Sequence, residues 1–419
     1  MRPIINRIAS LGIVFMASSI SAQEPATSYE DFPVLQASQL LKPEFLNGPY
    51  HTVMEAVPTQ GFANQYTVTT KWGIFNVRGN HLLNKRIHEF KAIAKLEEAS
   101  KGEEFQKALA SAAAKPFYAV SGALKDPVGA VEKIGSGAGR LFRKAGEAIS
   151  RGGKKSANTD NAMASILGFS AAKRKIAGEL QVDPYSENQV LQTKLDDLAR
   201  ASFAGGFVVK AGTFALGTGA NIGFAKAVGT VNLNAEIAEN VYQNDPTTLS
   251  LLNREILLEL GLGEVPTDTF LKHPKITPAQ QTILTKYLQR FGSVPGIEDY
   301  LKMVESSQDT AEVVYFIHCL SMMADYHEAT SPAKRILNLF GLPALHCENG
   351  TLLIPLAVDY GSWSSESARL SAALASYNPQ VIISQRVLYI EGRLSDRARK
   401  EFEAQGFTVK DGINTPLYK

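Results

Sequence analysis

Two His-Cys dipeptides, His318-Cys319 and His346-Cys347, contain both cysteines of the 419-residue chain. The first lies in a predicted helix, where neighbouring side chains point about 100° apart and do not readily bind one metal ion. We therefore expect no metal site. A cysteine nucleophile beside a histidine is a second alternative. The residues favour a Cys319–Cys347 disulfide, because an even cysteine count in an exported protein indicates pairing.

A second pattern places His318, Ser321 and Asp325 on one face of the same predicted helix. These residue types are those of acyl hydrolases. A nucleophilic serine usually lies on an exposed turn beside backbone N–H donors, whereas the N–H groups around a serine inside a helix are already bonded. The pattern therefore indicates a polar helix face. Glycine-rich stretches at 135–139 and 217–223 lack the context of nucleotide-binding loops, so we expect no cofactor.

The best candidate for ligand binding is the loop after a predicted strand, which carries Asp359, Tyr360 and Trp363. Aspartate and aromatic side chains on a strand-to-helix loop can bind a small molecule by hydrogen bonding and stacking. The alternative is structural, because Trp363 is equally suited to a core and Ser364 to a helix N-cap.

The first 22 residues have the order of a secretory signal peptide. Arg2 and Arg7 form a basic start, an apolar run covers 8–20, and small residues precede Gln23. About 13 apolar residues in a helix extend about 20 Å, short of a hydrocarbon core of about 30 Å, so an uncleaved anchor is the weaker alternative. We expect cleavage after Ala22 and a periplasmic or secreted protein.

Positive charge is concentrated in one Ala/Gly-rich segment, 103–175. Residues 115–175 contain 12 basic and 4 acidic residues, a net charge of +8, whereas the whole chain has 43 basic against 41 acidic residues. That balance predicts no nucleic-acid partner. The basic segment is expected either to contact an anionic membrane or a partner, or to pack on its own domain. Its contact residues would be Lys133, Arg140, Leu141, Phe142, Arg143 and Lys144.

A ladder of small residues occupies every fourth position within 201–231. If this stretch is helical, the ladder forms a groove into which another backbone packs closely. Lys210 and Lys226 bracket only 15 residues, which argues against a fixed transmembrane helix. A packed helix or hairpin and a conditionally inserting segment remain as alternatives. The ladder consists of Ala211, Ala215, Gly219, Gly223 and Ala227.

The elements that must position these residues change along the chain. β-Branched and aromatic residues predict strands within 50–77, apolar periodicity predicts a helix ending near 102, and capped helices follow over 245–340. The last residues predict the order β-α-β-β-α-β, a ferredoxin-like arrangement. The connection between the two middle strands, Gln385-Arg386, is tight, which leaves a single middle strand as the alternative. The fold class is therefore α+β, mainly α. The predicted divisions are a signal peptide (1–22), a lead-in (23–48), a β-hairpin-plus-helix unit (49–102), the basic segment (103–175), a helical domain (176–345) and a small α/β domain (346–419).

No stretch of the sequence has the full pattern of a known catalytic or cofactor site. The sequence therefore favours an exported, non-enzymatic envelope protein whose basic segment contacts an anionic membrane surface or an envelope protein. Two alternatives stay open. One is a periplasmic hydrolase with dispersed active-site residues, and the other is a membrane-inserting factor that uses 201–231.

If the basic segment binds membranes, its affinity should rise with anionic lipid and fall with salt, because salt screens exposed charges over about 10 Å at 0.1 M. Replacing Arg140, Arg143 and Lys144 by glutamine removes three charges worth about 1 kcal/mol each, so binding should weaken about a hundredfold. Sedimentation with phosphatidylserine vesicles measures the change, and phosphatidylcholine vesicles are the control. Equal binding of both proteins would assign the segment to a solvated protein face.

Overall fold

The computed structural model describes residues 29–113, 157–207, 235–377 and 382–413. The predicted signal peptide, the contact residues of the basic segment and the small-residue ladder lie outside these ranges. The chain divides into two compact units. Unit 1 comprises residues up to Leu83, Leu260–Pro266 and residues from Tyr287 onward, and unit 2 comprises Asn84–Glu259 and Thr267–Lys286.

Unit 1 begins with a six-stranded antiparallel sheet. Four of its strands lie where strands were predicted, whereas Val34–Gln36 and Asn47–Gly48 lie in the predicted lead-in, 23–48. Its central strand alternates inward and outward side chains, so that Asn64, Tyr66 and Val68 are buried. Two short helices, α1 (Ala37–Leu40) and α2 (Pro43–Leu46), accompany the sheet. Its strands are β1 (Val34–Gln36), β2 (Asn47–Gly48), β3 (His51–Val53), β4 (Ala56–Gln60), β5 (Ala63–Thr70) and β6 (Gly73–Arg78).

Helices dominate the middle of the chain, and several begin at the predicted caps. Asp309 accepts a hydrogen bond from the backbone of Glu312 (3.0 Å), and Thr277 and Gln280 bond reciprocally. Within the described ranges, no helix is both long and apolar enough to cross a membrane. The helices are α3 (Asn80–Ala99), α4 (Glu103–Ala113), α5 (Ala157–Glu179), α6 (Gln189–Phe203), α7 (Ala235–Gln243), α8 (Pro246–Glu259), α9 (Glu264–Leu271), α10 (Pro278–Gln289), α11 (Ile297–Glu305) and α12 (Thr310–Ala329).

In unit 2, α6 packs against α4 and α5, and buried ion pairs join α3 to the residues before α6. The ammonium group of Lys85 lies 3.3 Å from a carboxylate oxygen of Asp183 and 3.1 Å from one of Glu187. Glu89, which is fully buried, accepts hydrogen bonds from Ser186 (2.5 Å) and Asn188 (2.8 Å). Because buried charges must be paired, these contacts fix the entry to α6.

The second sheet of unit 1 has five strands in the order β13-β11-β9-β8-β7. The strands β9, β11 and β13 run parallel, joined by α13 (Ser365–Ser376) and α14 (Asp396–Ala404). Every residue of β8 and β9 is buried, and α12 packs against both strands. The strands are β7 (Ala333–Leu339), β8 (Leu342–Cys347), β9 (Thr351–Leu356), β10 (Tyr360–Gly361), β11 (Gln385–Ile390), β12 (Arg393–Leu394) and β13 (Phe407–Lys410).

This sheet confirms the α+β class but differs from the predicted ferredoxin-like order. One middle strand, β11, takes the place of two, which is the alternative that the tight connection left open, and β7 occupies residues where a helix was predicted to start. The β7–β8 hairpin turns at Phe340 and Gly341, whose φ angles of 57° and 88° are both positive. A turn with two positive φ angles usually carries Asn-Gly or Asp-Gly. Because phenylalanine stands in the first of these positions, no sign of the turn was visible in the sequence.

Both cysteines are free thiols, in contrast to the predicted Cys319–Cys347 bridge. The thiol of Cys319 donates to the carbonyl oxygen of Pro355 on β9 (3.5 Å). Cys347 ends β8, opposite Ala333 of β7. The two side chains therefore fill separate places in the core, and burial raises the pKa of each thiol to about 12.

We expect neither thiol to react quickly with the reagent DTNB in the folded protein, because reaction requires an accessible thiolate. After unfolding in urea without reductant, both Cys319 and Cys347 should react, giving two thiols per chain. The absorbance of the released thionitrobenzoate measures both states. Finding no thiol in the unfolded protein would restore the disulfide.

Candidate functional site

Three ionisable residues from distant parts of the chain meet inside unit 1. His81 lies in the first turn of α3, His318 in the middle of α12, and Glu391 directly after β11. Each residue offers one ligand atom, and these atoms all lie within 4.8 Å of one another. We call these three residues the His–His–Glu cluster.

The carboxylate of Glu391 is shared by the two imidazoles of the cluster. Its Oε2 lies 2.8 Å from Nε2 of His81, and its Oε1 lies 3.1 Å from Nδ1 of His318. The two rings stack with their centroids 3.4 Å apart and an angle of 26° between their planes. Burial alone would raise the pKa of Glu391, but the imidazoles outweigh burial and hold that pKa well below its usual value.

The cluster lies where the parallel strands of the second sheet end, which is the usual position of ligand sites in open α/β sheets. The backbone N–H of Glu391 donates to the carbonyl of Leu356 (3.1 Å), and that of Gly392 donates to Val358 (2.9 Å). A Cβ atom on Gly392 would overlap with the carbonyl oxygens of Val358 and Asp359. Glycine at this position therefore allows the chain segments after β9 and β11 to approach closely.

A second buried carboxylate, Asp359, fixes the segment that carries His81. It accepts hydrogen bonds from the backbone N–H groups of Asn64 (2.8 Å) and Asn80 (3.1 Å). The side chain of Asn80 in turn accepts a bond from the hydroxyl of Tyr66 (2.6 Å). Asp359 thus joins β5 and the start of α3 to the end of β9.

Of the two buried acids, Asp359 and Glu391, only Asp359 has a raised pKa. Burial raises its pKa from 3.8 to about 6, against the opposing effect of the backbone donors of Asn64 and Asn80 and of the imidazole of His81. The carboxylate of Glu391 adds to the increase. The two acids at the ends of β9 and β11 are therefore pushed in opposite directions, a pattern typical of acid–base sites.

A cavity of about 100 Å³ adjoins the cluster in unit 1 and is lined by His81 and Asp359. Most of its lining is apolar and comes from α12, α13, α14 and the turn before β5. A concave apolar site with a few polar groups at one place is characteristic of small-molecule binding. Apolar lining residues include Phe62, Val314, Leu342, Leu370, Leu394 and Phe402.

No protein-family model, curated protein or solved structure matches this chain. The chemistry of the site therefore has to be inferred from its own residues and their geometry.

Of the predicted ligand loop, the structure brings only Asp359 to the cavity. Trp363 packs edge-on against the ring of Phe402, with centroids 5.5 Å apart, and is buried as a core residue. Tyr360 forms part of the short ladder between β10 and β12 and does not line the cavity.

The three residues of the hydrolase-like pattern on α12 have different partners and do not contact one another as a triad. His318 joins the cluster, whereas the hydroxyl of Ser321 donates to the hydroxyl of Tyr287 (3.2 Å) and Asp325 pairs with Arg290 (2.9 Å). They do not form a catalytic triad, in agreement with the interpretation of a polar helix face.

Sequence reasoning missed the role of Glu391 and the pairing of His81 with His318. The sequence did contain one usable signal, because strands were predicted to end just before Asp359 and Glu391. Acidic residues directly after two parallel strands are expected at one edge of a sheet. No local spacing indicated the two histidines, because α3 and α12 are brought together only by tertiary folding.

The raised pKa of Asp359 predicts a pH dependence of stability. Because its pKa in the folded chain, about 6, exceeds the unfolded value near 3.8, protonated Asp359 stabilises the fold, and this contribution is lost as pH rises from about 4 to 6. Relative to Asp359→Asn, the wild-type free energy of unfolding should fall by about 2 kcal/mol between pH 4 and 7. Urea denaturation at both pH values measures the difference. Parallel pH profiles would contradict the shift.

Proposed function

We propose that unit 1 is a hydrolase that binds a divalent transition-metal ion through His81, His318 and Glu391. The observation that carries the proposal is the convergence of their three ligand atoms within 4.8 Å. Two histidines and one carboxylate are the protein ligands of one class of catalytic zinc sites, in which water takes the fourth position. A zinc-type ion lowers the pKa of that water to about 7 and so supplies hydroxide at neutral pH.

Metal binding requires one imidazole to leave the stack. An ion midway between the rings would lie about 1.7 Å from each ring plane, half of the 3.4 Å separation. Nitrogen lone pairs lie in the ring plane, and zinc–nitrogen distances are about 2.0–2.1 Å. His81 has room to rotate, because its side chain is 15% exposed and lines the cavity, whereas that of His318 is 1% exposed.

The position of His81 also supports hydrolysis as the reaction. As the member of the cluster that lines the cavity, His81 would hold a bound ion beside that space, where the ion could supply hydroxide to a substrate. Asp359, which lines the same cavity, fixes the backbone at the start of α3, so that only the side chain of His81 has to move.

The same three residues without an ion offer a second chemistry. Glu391 then orients an imidazole for proton transfer, as a carboxylate does in a His–carboxylate pair. This metal-free alternative predicts an activity that chelators leave unchanged, so the experiment below separates it from the metal site.

A metal-dependent hydrolase departs from the sequence-based expectation of a non-enzymatic protein without metal or cofactor, and matches the alternative of a hydrolase with dispersed residues. Export to the periplasm or beyond remains a proposal. Contact of the basic segment, 103–175, with an anionic membrane or an envelope protein also remains one, and it concerns residues that lie largely outside the described ranges.

Titration of chelator-treated protein with Zn²⁺, followed by calorimetry, should give one bound ion per chain. His81→Ala, His318→Asn and Glu391→Gln each remove one of three ligands and should weaken binding at least about a hundredfold, because even loss of a residue that only supports a ligand costs 10- to 100-fold. Hydrolysis of p-nitrophenyl hexanoate should disappear in EDTA and return with Zn²⁺.

His346→Gln is the matched control, because His346 is a buried histidine of the same unit on β8, outside the cluster. It should bind Zn²⁺ as the wild type does. Circular dichroism establishes that each variant is folded. Absence of a stoichiometric ion in the wild type, or equal losses in His346→Gln and His81→Ala, would reject the metal site, and ester hydrolysis that persists in EDTA would favour the metal-free alternative.

A further inference from the structure

We infer that the cavity holds the acyl chain of an ester of a medium-length, unbranched carboxylic acid, with the ester group at the His–His–Glu cluster. The inference rests on the proposed function for the cleavage of the ester. Binding of the acyl chain does not require the ion, and it is measured separately.

The cavity has one charged side. Arg78, His81 and Asp359 lie there together, because Arg78 ends β6, His81 follows three residues later, and Asp359 accepts the backbone N–H of Asn80 between them. A ligand that fits such a surface has a polar group at one end and an apolar body.

The remaining walls provide contacts for an apolar chain. Val314 of α12, Leu370 of α13 and Phe402 of α14 are all buried core residues whose side chains face this space. Among the remaining lining residues that the structure describes, only Tyr315 and Ser367 carry hydroxyl groups, and Ser367 already donates to the carbonyl of Ser362 (2.6 Å). A second polar group deep in the cavity would therefore find few partners to replace the water that it loses, at a cost of about 1–3 kcal/mol. The walls therefore favour an unsubstituted alkyl chain.

The volume of the cavity limits the length of the acyl chain. A cavity needs about 10–15 Å³ to hold one water-sized group, so about 100 Å³ accommodates on the order of seven to ten such groups. A methylene is of similar size. An acyl chain of about seven to ten carbons fills this space.

Arg78 suits the carboxylate that hydrolysis produces. Among the described lining residues it carries the permanent positive charge, and its guanidinium pairs with Asp309 at 3.0 Å, an aspartate whose side chain is 45% exposed. Guanidinium groups bind carboxylates with charge-assisted hydrogen bonds. In the reaction, the bond between the acyl carbon and the alkoxy oxygen breaks, water adds its hydroxyl to the acyl carbon, and its proton goes to the alkoxide.

Binding of the acyl chain is tested directly by calorimetric titration of the metal-free protein with acetate, butyrate, hexanoate, octanoate and dodecanoate. Each added methylene should tighten binding about fourfold until the cavity is full, because burying one methylene contributes about 0.8 kcal/mol. The increase should end near eight carbons, and acetate should not bind measurably.

Ala311→Phe is the informative variant, because Ala311 lines the cavity from the first turn of α12 and a phenyl ring there occupies the space of the chain. Octanoate binding should weaken at least about tenfold, with Zn²⁺ binding unchanged. Ala329→Phe, at the exposed end of the same helix, is the control and should bind both probes as the wild type does.

Arg78→Gln tests the polar end. It should weaken octanoate binding about tenfold and leave octanol binding unchanged, because only the carboxylate interacts with the guanidinium charge. Carboxylate affinity that does not change with chain length would overturn the acyl-chain inference. Equal octanoate binding by Ala311→Phe and Ala329→Phe would overturn it too. A wild-type protein that binds octanoate but not Zn²⁺ would instead overturn the metal site alone.

Discussion

Unit 1 has to stabilise an ionised carboxylate that is removed from water. An isolated buried carboxylate costs many kcal/mol, so Glu391 requires donors or positive charge on both of its oxygens. The imidazoles of His81 and His318 meet that requirement, one at each oxygen. The start of α3 and the middle of α12 must therefore both reach the carboxyl end of β11.

The backbone supports this arrangement independently of the side chains. The segments that follow β9 and β11 are joined by the short parallel ladder of β10 and β12 and by the hydrogen bond from Gly392 to Val358. Two acidic residues, Asp359 and Glu391, are thereby held at adjacent strand ends, where like charges would otherwise repel. Their different partners, backbone N–H groups for one and imidazoles for the other, explain how both fit in one buried region.

The sequence allowed much of the local structure to be predicted, and little of the site. Thr277 and Asp309 were recognisable as helix caps because capping depends on residues within one turn. The β7–β8 hairpin was not recognisable, because its turn uses Phe340 where asparagine is usual. The site depends on long-range packing of α3, α12 and β11, and the buried partners of a cysteine such as Cys319 are equally invisible to spacing arguments.

The hydrogen bond from the backbone of Asn64 to Asp359 joins residues that are 295 positions apart in the chain. A ribosome adding 5–20 residues per second takes about 15 to 60 s to cover that interval. During this time the strands of the first sheet exist without the carboxylate that satisfies them, while the residues of unit 2 up to Glu259 are already complete. The middle of the chain can therefore fold first, and unit 1 is completed only when its two flanking parts meet.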